Sequence, residues 1–276
     1  MLDNRSLKQL RQHYDVEKEL AQRLRNTTKS DRRSSYSTIY DELFSRVPDH
    51  PQLTRKATST EKRDFILNQL KLLNPILSET MTVIEIGAGD CGLSFEIAKY
   101  VEMVIAIDVS RVIASSSNPP DNFKLLISDG VSIPVPDNSI DLAYSYQLME
   151  HLHPEDANEQ LTNIFNSLRS GGRYVCVTPN RIMGPHDISK YFDLTAQGLH
   201  LKEYTVTELH KLFKQVGFSS IHVLANTKGK YLEVPILPSK MLESLLSFLP
   251  LGIRRKIAAS YPLRAFLGVP VIAVKE

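Results

Sequence analysis

The stretch Val83-Ile84-Glu85-Ile86-Gly87-Ala88-Gly89-Asp90-Cys91-Gly92 constrains the fold of this chain more than any other. A β-branched run enters a turn carrying three glycines, and a helix-like segment, Leu93 to Tyr100, follows it. Strand, glycine-rich turn and helix together bring bare backbone N–H groups and a helix N-terminus up to a ligand. Gly87, Gly89 and Gly92 also satisfy G-x-G-x-x-G, the fingerprint of dinucleotide binding. The triplet alone does not choose among adenosine-containing cofactors.

The rhythm around this turn sets the fold class. From residue 81, apolar runs at 82–86, 104–107, 123–127, 140–144 and 173–177 alternate with helix candidates at 91–100, 110–117, 147–152 and 156–169. Runs apolar on both faces and separated by helices predict a parallel sheet covered on both sides. Right-handed crossovers make it a doubly wound α/β sheet. Thr205 to Val216 predicts a helix that stops at Gly217, with strands at 218–224 and 269–274.

Ahead of the sheet, residues 1–35 are polar, with leucines loosely at helical spacing. The basic, Ser/Thr-rich piece Arg23 to Ser37 reads as a turn or mobile link whose cations form a solvated face. Tyr36, Ile39, Tyr40, Leu43 and Phe44 give an amphipathic helix that ends before Pro48 and Pro51. Thr60 to Leu73 predicts another helix, capped by Ser59 or Thr60. Residues 1–80 are thus expected to cap the cofactor pocket, 81–276 to form the sheet domain, and an insertion at 226–268 to wall the acceptor pocket.

Composition narrows the class. Of 276 residues, 42% are apolar and 23% charged, the balance of a soluble globular protein. A net charge of +2 supplies no general basic field for nucleic acid. Cys91 and Cys176 form neither a disulfide framework nor a metal-ligand spacing, which fits two reduced thiols in the cytoplasm. No secretory h-region opens the chain, and no uncharged apolar run reaches the ~18 residues of a membrane span. Met241 to Ile253, followed by Arg254, Arg255 and Lys256, fits helix packing on the core, with a membrane surface as the alternative.

Three carboxylates sharpen the choice of cofactor. Asp108 ends the second strand, 19 residues after Gly89, where it can accept both hydroxyls of a ribose. That feature fits NAD and S-adenosylmethionine equally. Asp129, in Ser128-Asp129-Gly130, can accept from an adenine amino group or simply form the turn. Glu85 stands two residues before the first glycine, where it repels a pyrophosphate but suits a sulfonium and an α-ammonium. Leu168 to Val175 adds a helix end and a Gly-Gly turn that feeds the fifth strand.

In this order, VIEIGAGDCG, VIAIDVS, SDG, DLAYSYQLMEHL and LRSGGRYVCVTPN resemble the successive motifs of class I S-adenosylmethionine-dependent methyltransferases. The style is closest to the small-molecule, ubiquinone-biosynthesis-like branch, and the resemblance covers roughly residues 80–225 and the last strand. It implies a seven-stranded, mostly parallel, Rossmann-like sheet whose antiparallel hairpin is formed by 219–224 and 269–274. It also implies that Gly87, Ala88 and Gly89 approach the methionine part of the cofactor. Asp108 would hold the ribose, Val109 would pack on adenine, and Asp129 and Gly130 would face the adenine edge. Gln147 resembles the position that lines the methyl-transfer site.

On the acceptor side, Gly184-Pro185-His186-Asp187 follows the carboxyl end of the fifth strand, the ligand side of an open α/β sheet. An imidazole is suited to taking up a proton, so His186 is the candidate base, with Asp187 orienting a ring or capping the next segment. A loop histidine satisfied by backbone is the alternative, and His200 is a weaker candidate of the same kind. His151 and His153 have no third ligand nearby in sequence, so no metal is expected. The expected activity is methyl transfer to a small or medium-sized acceptor, most simply at oxygen of a hydroxylated metabolite or glycan. An NAD-dependent oxidoreductase and a non-catalytic cofactor-binding protein are the alternatives. No nucleic-acid partner and no integral membrane segment are expected.

Overall fold

The structure, a computed structural model, describes residues 4–54, 58–110, 118–227, 229–261, 263–267 and 270–276. The helix candidate at 110–117 falls, beyond its first residue, outside the described residues. Four helices precede the sheet's own layers. Ser6 and Gln9 form a reciprocal capping box on α1 (Leu7–Asn26), and Thr28 caps α2 (Lys29–Ser35). Next come α3 (Ile39–Arg46) and α4 (Pro51–Thr54). Ile39 and Leu43 of α3 close on Leu20 and Leu24 of α1. The link expected at 23–37 is therefore mostly helix.

Long-range pairing explains that difference. Seven residues of modest helix propensity do not hold a helix alone. Here the Arg32 guanidinium, 2% exposed, forks onto the Asp156 carboxylate at 2.6 and 3.2 Å. Tyr36 donates to the same carboxylate at 2.7 Å, and Lys29 and Arg33 both pair with Glu159. Three of the cations expected to form a solvated face, Lys29, Arg32 and Arg33, instead bolt the N-terminal helices to the helix carrying Asp156.

α5 (Ser59–Leu73) is capped by Thr58, one residue earlier than expected, in a box with Glu61. It belongs to the sheet. β1 (Thr82–Ile86), β2 (Met103–Asp108), β3 (Phe123–Ile127), β4 (Ile140–Tyr146) and β5 (Leu168–Val177) run parallel in the order β3-β2-β1-β4-β5. β6 (Ser220–Thr227), β7 (Lys230–Pro235) and β8 (Pro270–Val274) extend the sheet antiparallel, with β8 between β5 and β6. β7 is the eighth strand, where seven were expected. It is an exposed edge strand, so its sequence carries no apolar run.

Successive side chains alternate between two cores. Ile84 and Ile86 face α7 (Pro154–Ser167) and α8 (Val206–Val216) on one side. Val83, with Val104 and Leu142, faces Leu70 and Leu73 of α5 and Leu93 and Ile97 of α6 (Gly92–Ile97) on the other. The helix candidate at 147–152 is a single 3-10 turn, Met149–His151, and β5 already begins at Leu168, ahead of its Gly-Gly turn.

Residues 236–267 hold α9 (Ile236–Ser247), α10 (Leu251–Ala258) and α11 (Leu263–Leu267). Glu243 of α9, buried, accepts from the N–H groups of Val206 and Thr207 at the start of α8 and from Asn180. A carboxylate there satisfies orphan helix donors and complements the helix dipole. No helix among the described residues is long and apolar enough to cross a membrane.

Asp156→Ala should cost about 3–5 kcal/mol, because it leaves the buried Arg32 guanidinium unpaired. Urea unfolding measures that loss, and limited proteolysis should cut first within residues 1–50. Arg32→Met combined with Asp156→Leu should recover most of the stability. A loss below ~1 kcal/mol for the single change would show that the pair does not hold the cap.

Candidate active site

The glycine turn lies at the carboxyl edge of the sheet, between β1 and α6. Gly87 and Gly89 adopt left-handed backbone, with φ of 74° and 53°, which a side chain would strain. Gly89 donates its N–H to Asp108 Oδ2 at 2.9 Å, and Gly87 donates to the Ile107 carbonyl at 2.8 Å. A Cβ on Gly89 would meet nothing within 4 Å, so the turn opens onto space. That space is a cavity of about 230 Å³ bounded by Glu85, Ala88 and Asp90, by Phe65 and Gln69 of α5, and by Tyr146. Gly92 is not itself in the lining, but a Cβ there would come 2.9 Å from Ile66 of α5, which is. Its smallness serves helix packing.

Glu85 occupies the face of β1 on which Val83 is apolar. It is 6% exposed and accepts a hydrogen bond from Ser94 Oγ at 2.5 Å. Burial pushes its carboxyl up to about 8, and the negative charges of Asp90 and Asp108 add to the push. A proton-holding carboxyl beside an open turn is what a cationic ligand would ionise.

On the far side of Gly87 a narrower cavity of about 60 Å³ is lined by Asp108, Val109, Gly130, Leu148 and Gln160. Asp129 is turned away from it. Its carboxylate accepts from the N–H groups of Val131 and Ser132 at 2.9 and 2.7 Å, and Arg33 stands 3.5 Å off. Burial opposes its charge, yet those donors and Arg33 hold it below the ordinary carboxylate range. The structure thus places Asp129 as the organiser of its own turn, and leaves Gly130 at the cavity.

A third cavity, about 340 Å³, lies between the N-terminal helices and residues 147–200. Five of the eight histidines line it: His13, His50, His151, His186 and His200. Burial pushes His50 and His151 down to about 4, so both rings are neutral at pH 7. Gln147 reaches this cavity from an unusual backbone position (φ 51°), fixed by its N–H on the Val177 carbonyl at 2.7 Å.

His186 Nε2 lies 3.0 Å from the Asn180 carbonyl, which assigns the proton to Nε2 and leaves Nδ1 as the acceptor. The His186 N–H donates to Glu203 Oε1 at 2.6 Å, and His200 Nδ1 lies 2.8 Å from the same oxygen. One buried carboxylate therefore joins the two candidate bases. Asp187 caps the following turn, accepting from Ser189 N–H at 3.0 Å and Gly198 N–H at 2.9 Å.

Two side-chain groups here have the composition of a metal site: His13, Glu17 and His50, and Glu150, His151 and His200. They meet at one residue, since Leu199 donates its N–H to Glu17 at 3.1 Å and its carbonyl lies 3.1 Å from His151 Nδ1. His153 is elsewhere, accepting the Glu155 N–H at the start of α7. Sequence adjacency pairs His151 with His153; the fold pairs it with His200. Glu17, Glu150 and Glu203 were missed, and among them only the Glu150-His151 dipeptide offered a local signal.

None of the described residues of 226–268 lines this cavity. They stand behind it: Arg255 donates to the Gly184 carbonyl at 2.6 Å, and Ile182 packs among Leu246, Ala258 and Leu267. A separate cleft of about 490 Å³ beside Tyr231, Tyr261 and Arg264 shares no lining residue with the other three.

Comparison with known proteins bears on this geometry. Residues 84–176 match the methyltransferase domain family. A probable S-adenosylmethionine-dependent methyltransferase of Mycolicibacterium smegmatis is 28% identical over 137 residues, 49% of this chain and 51% of that protein. The chain spans about half the length of the curated relatives it matches. A SAM-dependent methyltransferase of Archaeoglobus fulgidus superposes with a TM-score of 0.52 at 18% identity, covering 77% of this chain and 94% of that one. One from Thermotoga maritima gives 0.52 at 13% identity, over 96% and 100%. Such low identities speak for the fold.

Cofactor affinity should therefore depend on pH through Glu85. The empty site keeps its proton up to about 8, and a cationic ligand favours the carboxylate, so binding expels that proton and tightens as pH rises towards 8. Calorimetry of S-adenosylmethionine binding at pH 7 in buffers of different ionisation enthalpy should register release of up to about one proton. Glu85→Gln should bind more weakly and lose the pH dependence; an unchanged profile would exclude Glu85 from the cofactor's cation.

Proposed function

We propose that the chain, whose residues 84–176 match the methyltransferase domain family and which resembles probable S-adenosylmethionine-dependent methyltransferases, methylates a hydroxyl oxygen of a small or medium-sized acceptor held in the histidine-lined cavity. The observation that carries this reading is His186, which lines the cavity with Nδ1 free to accept a proton. The cofactor supplies an activated methyl group, so the chain must align the acceptor, exclude water and take up one proton.

The division of labour follows from the contacts. The turn at Gly87–Gly89 and the Asp108 carboxylate hold the donor half, with Glu85 compensating its positive charge. Gln147 stands where β4 ends, in the acceptor cavity itself. The hydroxyl's proton passes to His186 Nδ1 while its oxygen takes the methyl. Asn180 holds the ring by Nε2, and Glu203 fixes the backbone beneath it. Asp187 keeps the loop closed through Ser189 and Gly198. A cavity lined by the neutral imidazoles of His50 and His151, by Tyr40, by the carboxylates Glu17 and Asp187 and by the cations Arg5 and Lys190 suits a polar, hydroxylated guest.

Turnover of His186→Ala on a hydroxylated acceptor should fall about 10²–10⁴-fold while the affinity for S-adenosylhomocysteine stays unchanged. Calorimetry with S-adenosylhomocysteine and with NAD should show binding of the first alone. Unaltered kcat in the variant would remove His186 from the chemistry. Mass spectrometry placing the methyl on nitrogen would overturn the choice of oxygen.

A further inference from the structure

We propose that Glu150, His151 and His200 bind one divalent first-row transition-metal ion of the zinc or ferrous class. A ring nitrogen from each histidine and an oxygen of Glu150 lie within 4.8 Å of one another. The orientation of the rings is the second observation. His200 directs Nδ1 at the Glu203 carboxylate at 2.8 Å, and His151 directs Nδ1 at the Leu199 carbonyl at 3.1 Å; a carbonyl only accepts, so that proton sits on Nδ1, and Tyr40 Oη, 2.9 Å away, shares it. An acceptor on Nδ1 is how metal-ligating histidines are held, and it leaves Nε2 as the lone-pair nitrogen.

Glu150 supplies a third observation. It is 0% exposed, its Oε2 accepts from Thr178 at 2.9 Å, and its Oε1 has no partner among the described residues. Such a buried oxygen is satisfied by a cation. Two imidazoles and one carboxylate select a borderline ion over magnesium or calcium, and three protein ligands leave a position open. His151 and His200 line the acceptor cavity, so that position is available to an acceptor oxygen.

The neighbouring group makes the contrast. His50 Nδ1 accepts the Gln52 N–H at 3.2 Å, and His13 Nδ1 lies 2.8 Å from the Arg5 guanidinium. Both rings therefore carry their proton on Nε2, the nitrogen that faces Glu17. That set is closed by hydrogen bonds and repels a cation.

The role of the ion in the chemistry rests on the methyltransferase reading, whereas its binding does not, so the test reads binding alone. Metal-stripped protein titrated with Zn²⁺ should take up one ion per chain with micromolar or tighter affinity. Glu150→Gln and His200→Ala should each weaken that binding by roughly 100-fold or more, and Glu203→Gln by roughly 10–100-fold. His13→Ala should leave it intact. Absence of stoichiometric uptake by the unaltered protein overturns the proposal, as does uptake that survives Glu150→Gln or is lost equally in His13→Ala. Circular dichroism of each variant verifies its fold.

The outer face of the C-terminal helices independently carries a second inference: α9 and α10 seat the chain on an anionic lipid surface. The helix α9 is apolar on its outer face as well as on the inner one, where Leu246 is buried. Ser239 and Glu243 are buried, while Leu237, Met241, Leu245 and Phe248 are 60%, 59%, 67% and 84% exposed. Ile253 and Tyr261 continue the stripe at 51% and 67%. The only acid within 236–267 is the buried Glu243, against Lys240, Arg254, Arg255, Lys256 and Arg264. An apolar stripe flanked by charge of one sign, positive, fits a helix lying in the interface of an anionic bilayer. Arg255 and Ile182 link this face to the loop that carries His186.

In flotation, the chain should rise with phosphatidylcholine vesicles containing phosphatidylglycerol, less so at high salt, and stay down with phosphatidylcholine alone. Leu245→Glu with Phe248→Glu should abolish flotation while S-adenosylhomocysteine binding persists. Failure of the unaltered chain to float, or a dimer in light scattering that the same changes dissolve, would overturn the lipid assignment.

Discussion

The fork of Arg32 on Asp156 is the joint on which the functional half of this molecule hangs. It is a buried pair with two parallel N–H···O contacts and a third donor from Tyr36. Desolvating both charges is costly, and the geometry offsets it because both carboxylate oxygens are hydrogen-bonded. Tyr36 packs its ring where a Cβ on Gly130 would sit 3.4 Å away, so the same joint sets one end of the cofactor cleft. It also fixes where α1 and α3 lie, and with them one wall of the histidine-lined cavity.

Charge is arranged around the glycine turn with equal economy. Glu85, Asp90 and Asp108 crowd one loop, and Lys62 stands 4.0 Å from Asp90 at its rim. Asp108 is satisfied by the N–H groups of Gly89 and Ser110. Glu85 rests on Ser94, and burial raises its carboxyl to about 8. A turn so rich in carboxyl groups attracts positive charge and would repel a pyrophosphate, a distinction that glycine spacing does not make.

How much of this was legible follows from range along the chain. The strands β1 to β5, the glycine turn and Asp108 were readable because period, turn chemistry and spacing are local properties. The edge strand β7 was not, since an exposed strand needs no apolar run. Nor was α2, whose stability comes from Asp156 and Glu159 more than a hundred residues away. Asp129 was ambiguous for a physical reason: a carboxylate before a glycine suits a turn and a ligand equally, and here Arg33 and two N–H groups claim it. The cluster of Glu150, His151 and His200 was half legible. Its dipeptide is in plain sight, but the third member arrives from a loop some fifty residues on.

Leu199 joins both walls of the cavity: its N–H is held by Glu17 of α1 and its carbonyl lies against His151 beyond β4. Lifting the N-terminal helices would break the first of these bonds and pull on the residue that makes the second. A disturbance at either wall is therefore felt at the other through a single residue.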